Sequence, residues 1–135
     1  MEHSITSKHT QVGKIGESIA ASFLVRHGHI VVERNYRKKW GEIDIVSRET
    51  NKIHFVEVKS VSYETRQALD GAVTRSTWRP EENVHSSKLK KLNRAIESWI
   101  EENRYQGDWQ IDVVAVRMVP REKYAMVKLI SNVIS

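Results

Sequence analysis

The chain has 135 residues, the size of one ordinary domain and enough to bury a core without covalent staples. It has no cysteine, which excludes a disulfide framework and thiolate zinc sites; the six histidines form no His-Glu-x-x-His pattern, and His27 and His29 read as surface or strand residues, so zinc is set aside. The 22 Lys and Arg against 17 Asp and Glu leave a formal charge of +5, which favours polyanionic partners, and the absence of a signal-like or membrane-length apolar run makes a cytoplasmic protein the expectation.

Val12, Ile15, Ile19 and Phe23 fall at helical spacing and predict a first helix over residues 11–27, stopped by Gly28. Three short strands follow, marked by Ile30 to Val32 leading into Tyr36, by Ile43, Ile45 and Val46, and by Phe55, Val56 and Val58. The Glu49-Thr50-Asn51-Lys52 turn makes the second and third a hairpin. From 62 to 83 the periodicity lapses, and so long a connection reads as a mobile loop or lid. Leu89, Leu92, Ile96, Trp99 and Ile100 mark a second amphipathic helix, capped by Asn83, Ser86 or Ser87 and ending before Gly107. Two strands centred on 109–116 and 125–130 close the chain, with Pro120 between them. The expectation is a single α/β domain in the order α-β-β-β-α-β-β.

A hairpin turning between Thr50 and Asn51 sets residues whose numbers sum to 101 opposite each other. Asp44 then faces Glu57, Glu42 faces Lys59, Ile43 faces Val58 and Ile45 faces Val56, so one side is aliphatic and the other charged. Opposed Cβ atoms lie roughly 4.5 to 5.5 Å apart, and two like charges at that separation destabilise a sheet. A cation resolves the conflict. Carboxylate oxygens from Asp44 and Glu57, with a free backbone carbonyl at Val58, suit Mg²⁺ or Mn²⁺, and Lys59 is placed to orient a water or stabilise developing charge. The competing reading is a solvated face on which Lys59 neutralises Glu42. It fits each residue singly, but Val46 and Phe55 on the charged side imply that this side is partly covered.

Gly13, Gly16, Glu17, Ala20 and Ala21 cluster near one side of the first helix, where small residues permit close approach. Such an approach would cover the charged face and aim Glu17 into its acidic end as a ligand or water-positioning base. The alternative is a surface glutamate favoured near a helix N-terminus.

Gly13-x-x-Gly16-Glu17, Arg34-Asn35-x-Arg37, Gly41-Glu42-Ile43-Asp44, Phe55-Val56-Glu57-Val58-Lys59 and Ile111-Asp112-Val113-Val114, in this order and spacing, resemble the YraN-like bacterial proteins. The resemblance covers nearly the whole chain. It implies a restriction-endonuclease-like fold, with a central mixed sheet of about five strands flanked by helices. It also implies a PD-(D/E)xK metal motif on Asp44, Glu57 and Lys59, with Glu17 as the helical acid, and distant kinship with Holliday-junction resolvases. Two departures stand out: no proline precedes Asp44, and Val61 occupies a position where the family pattern has arginine.

Lys88, Lys90, Lys91 and Arg94 crowd the first half of the second helix, where positive charge opposes the macrodipole and an anion would offset the cost. With Arg34, Arg37, Lys38 and Lys39 they can track a nucleic-acid backbone, while Trp40, Tyr63 or Trp78 can stack on unpaired bases; Trp99 and Trp109 read as core. The expectation is a Mg²⁺- or Mn²⁺-dependent nuclease acting on DNA, branched or single-stranded. The alternative is a non-catalytic nucleic-acid-binding module of the same fold. A symmetric homodimer would suit paired incisions, and no membrane partner is expected.

Overall fold

The computed structural model describes residues 2–75 and 86–133, with side chains from 11 to 75 and 88 to 133. Its elements are α1 (Glu2–Arg26), β1 (Ile30–Lys38), β2 (Gly41–Glu49), β3 (Lys52–Ser62), α2 (Arg66–Arg75), α3 (Ser86–Glu102), β4 (Asp108–Val119) and β5 (Tyr124–Ile130). The five strands form one sheet in sequence order, with β3 and β4 parallel and every other neighbouring pair antiparallel. This is the mixed, helix-flanked α/β sheet that the sequence predicts. No helix among the described residues is long and apolar enough to cross a membrane.

Helices cover both sides of the sheet. Ala20, Ala21 and Leu24 of α1 pack on Ile45, Val56, Val114 and Val116, with Val58 beside them. On the opposite side Leu92, Ala95, Ile96 and Trp99 of α3 pack on Val46, Phe55, Ile53 and Ile111. The helix α1 therefore covers the aliphatic side of the hairpin rather than the charged one, and Val46 and Phe55 belong to a second full core under α3. Trp109, expected in the core, is 41% exposed and only edges against Phe55.

The predicted register holds from Glu49↔Lys52 to Ile45↔Val56. Beyond that point β2 leaves β3 but stays with β1, through Tyr36↔Ile43 and Lys38↔Gly41. Asn35 lies at φ 55°, a left-handed conformation that asparagine tolerates better than most residues. Such a residue reverses the side-to-side alternation of a strand. Arg34 reaches Ser18 on α1, yet Tyr36 enters the core under α3; in β2, Ile45 faces α1, whereas Ile43 joins the α3 core. Ile43 therefore does not share a face with Ile45. The bent β1–β2 arm is held on α3 by three hydrogen bonds: Tyr36 OH to Glu102 Oε1 (2.7 Å), Trp40 Nε1–H to Ser98 Oγ (2.7 Å) and Trp99 Nε1–H to Glu33 Oε1 (3.0 Å).

Part of the segment read as a loop is the helix α2. Thr65 Oγ1 accepts the N–H of Ala68, as an N-cap does, but Leu69 is the helix's one fully buried side chain, too little for a periodic signal. Residues 76–83 of that segment, including Trp78 and the cap candidate Asn83, and the side chains of Ser86 and Ser87, lie outside the described residues.

Candidate functional site

The fork between β2 and β3 is where the carboxylates gather. Instead of a further ladder rung, the Val58 N–H donates to Asp44 Oδ2 at 2.8 Å. A strand residue turns its N–H and C=O to the same side, so the Val58 carbonyl also faces the opening. Burial, and next the Glu57 carboxylate, push Asp44 up to about 7; the Val58 N–H works against them, and Glu17 and Glu42 add to the rise.

Glu57 is compensated from two elements. Its Oε1 lies 3.6 Å from Lys59 Nζ on the same strand and 3.4 Å from Lys88 Nζ on α3. Burial lowers the Lys59 ammonium below its ordinary range, and the hydrogen bond with Lys88 adds to the shift, while Glu57 opposes it.

Glu17 stands further off. Burial raises its carboxyl, Arg34 and Arg37 lower it, and Glu57 is only a minor influence. Arg34 Nη2 is 4.0 Å from Glu17 Oε1, so that arginine is turned inward onto α1. Glu17, Asn35 and Arg37 line a separate cleft with Gly13 and Lys14. Close approach of α1 to the sheet rests on Gly16, where a Cβ would overlap Ser60 Oγ; Gly13 has open space around it.

The predicted basic residues divide between rims. Lys38, Lys39, Lys88 and Lys91 line one cleft of about 500 Å³ with Gly41, Glu42 and Glu57. Gly41 sets the width of this cleft, since a Cβ there would strike the Lys91 carbonyl. Lys38 Nζ is also 2.9 Å from Glu102, and Arg37 Nε 3.7 Å from Glu42 in an exposed pair of the sort worth little. Lys90 and Arg94 are exposed on α3 outside the lining. Trp40 is partly exposed, its indole N–H taken by Ser98.

Sequence reasoning missed a second polar cluster. His29, set aside as an ordinary strand or surface residue, is buried and meets Glu49 and His54; ligand-capable atoms of the three lie within 4.8 Å of one another. Among the described residues this is the one group of three or more such side chains drawn so close. The hairpin register carried part of the signal, because it sets Ser47 opposite His54 next to Glu49.

Residues 16–116 match the uncharacterised protein family UPF0102. Similar proteins include the UPF0102 protein of Sulfurihydrogenibium sp., 38% identical over 109 residues that span 80% of this chain and 85% of the relative. A UPF0102 protein of Chloroherpeton thalassium is 39% identical over 105 residues, 77% of this chain and 73% of its own length. One from Campylobacter hominis is 30% identical over 126 residues, 92% of this chain and 96% of its own.

Proposed function

Because this chain belongs to the UPF0102 family, whose name carries no activity, we propose a function from its own residues: a metal-dependent nuclease of the restriction-endonuclease-like superfamily, hydrolysing phosphodiester bonds in DNA. The observation that supports this most is the shared cleft. Lys38 and Lys39 on one rim and Lys88 and Lys91 on the other flank Glu57, so a phosphate backbone drawn between them would be carried to the forked strands.

The fork suits a divalent cation. Burial and the Glu57 carboxylate push Asp44 up to about 7, a conflict that Mg²⁺ or Mn²⁺ would relieve; Asp44 and Glu57 could hold such an ion, with the Val58 carbonyl as a further oxygen of the hard kind these ions take. When bound, the ion would supply Lewis-acid stabilisation of charge on the phosphate and lower the pKa of a water. The chain's residues do the rest. Asp44, fixed by the Val58 N–H, and Glu57 would hold the ion; Lys59, beside Glu57, would orient the attacking water or steady charge on the phosphate. Glu17, outside this group, acts at most through water and charge. The lysine rims bind DNA without reading its sequence, which suits a substrate chosen by shape.

One observation favours a second reading, a non-catalytic nucleic-acid-binding module: Lys59 and Lys88 already neutralise Glu57 without an ion. Cleavage of end-labelled single-stranded, duplex, flap and four-way-junction DNA with Mg²⁺ or Mn²⁺ separates the two. Metal-dependent cutting that disappears in Glu57→Ala supports the nuclease. Binding without cutting, unchanged in Glu57→Ala, supports the module.

A further inference from the structure

The buried histidine cluster lies at the other end of the hairpin from the fork. Glu49 is five residues along β2 from Asp44, about 17 Å of extended strand. Three elements meet there: His29 sits between α1 and β1, Glu49 ends β2 and His54 lies on β3.

Each imidazole is held by a neighbour. Asp112 Oδ2 is 2.7 Å from His54 Nδ1, and Ser47 Oγ is 2.8 Å from His29 Nδ1. Asp112 is itself fully buried and committed, its Oδ1 accepting from Gln110 Nε2 (2.7 Å) and from the Asn132 N–H (2.8 Å). With Nδ1 engaged by the Asp112 carboxyl, Nε2 is the nitrogen left to face the cluster. That Nε2 is buried in a residue only 6% exposed, and it has no hydrogen-bond partner among the described residues. The nearest acid oxygen, Glu49 Oε1, stands 3.5 Å away. A buried imidazole nitrogen with no hydrogen-bond partner beside a carboxylate is a costly arrangement unless something fills it.

We propose that His29, His54 and Glu49 form a zinc-binding site, with Asp112 and Ser47 orienting its two imidazoles. Two nitrogens and one oxygen are a ligand set zinc takes in tetrahedral sites, where ligand atoms bound at 2.0–2.1 Å stand about 3.3 Å from each other. The His54–Glu49 separation already matches, and the widest separation in the group closes with a shift of about 1.5 Å or less. Glu49, 45% exposed at its side chain, has room to turn. The fourth position opens onto a cleft of about 370 Å³ between the hairpin turn and the start of β4, where a water or an outside ligand fits. Glu49 and Asp112 balance the ion's charge, and the one ammonium in that cleft, Lys52, is turned onto Gln110 Oε1 at 3.1 Å. The site would tie the end of α1 to the hairpin, so zinc acts on stability and not on the fork.

The test is zinc titration of the chelator-treated full chain by calorimetry and thermal melting, in wild type, Glu49→Gln, Asp112→Asn and Asp44→Asn. The expected result is a zinc-dependent rise in melting temperature that Asp44→Asn retains. Glu49→Gln should bind about tenfold or more weakly while melting like wild type without zinc, and Asp112→Asn about 10–100-fold more weakly. Co²⁺ in place of zinc should give the visible absorption of a tetrahedral site in wild type and not in Glu49→Gln. No zinc-dependent rise in wild type overturns the site. So does binding that survives Glu49→Gln and is lost in Asp44→Asn, which would move the ion to the fork.

Discussion

The Val58 N–H donates to Asp44 Oδ2 at 2.8 Å, in the place where the next rung between β2 and β3 would form. One side chain therefore ends the ladder and fixes its own carboxylate in the opening it makes. Beyond this point β2 remains paired with β1, and Tyr36 and Ile43 join the core under α3.

Stability without metal should fall as pH rises through the range set by Asp44. Its pKa is 3.8 unfolded and about 7 folded, so between these values the native state holds a proton that the unfolded chain has lost. The loss should be on the order of 1 to 3 kcal/mol between about pH 4 and about pH 8. Urea melts across that range should show it, and Asp44→Asn or added Mg²⁺ should flatten it. An unchanged slope in Asp44→Asn would assign the effect to another group.

Lys59→Arg should separate proton transfer from fixed charge. Burial lowers the Lys59 ammonium below its ordinary range, whereas arginine keeps its charge. If Lys59 moves a proton, cleavage should drop by about 100-fold or more and lose the matching limb of its pH–rate profile, with DNA affinity nearly unchanged. Wild-type cleavage rates in the variant would leave Lys59 only an electrostatic part.

The lysine rims predict a salt signature. Lys39→Ala and Lys91→Ala should each reduce the slope of log K against log salt by about 1, on any DNA sequence. Lys128→Ala, exposed on β5 away from the cleft, should leave it unchanged. Fluorescence anisotropy over a salt series measures this, and equal effects at all three positions would argue against a defined cleft.

Two glycines should respond in opposite directions. Gly41→Ala drives a methyl into the backbone carbonyl of Lys91 and should cost roughly 1 to 3 kcal/mol. Gly13→Ala meets nothing within 4 Å and should stabilise α1 by up to about 1 kcal/mol. Chemical denaturation of both variants checks the pair; a tolerated Gly41→Ala would mean that α3 can shift away from β2.

Local pattern carried much of this molecule. A period of two and a four-residue turn were enough to set the β2–β3 register down to Ile45↔Val56, and helical spacing located α1 and α3, although α1 starts nine residues before the predicted position. The ladder stops before the predicted Asp44–Glu57 rung, so pattern brings these two acids to one end of the hairpin but not to the arrangement in which Asp44 accepts from the Val58 N–H. What pattern could not decide was that Arg34 and Tyr36 of β1 turn to opposite sides across the left-handed Asn35, or that Ile43 and Ile45 of β2 enter opposite cores. Which face α1 covers, the union of Lys38 and Lys39 with Lys88 and Lys91 around Glu57, and the meeting of His29, Glu49 and His54 were likewise settled by packing. These residues lie on elements far apart in sequence, and only the close approaches at Gly16 and Gly41 and the hydrogen bonds of Glu33, Ser98 and Glu102 fix how those elements sit together.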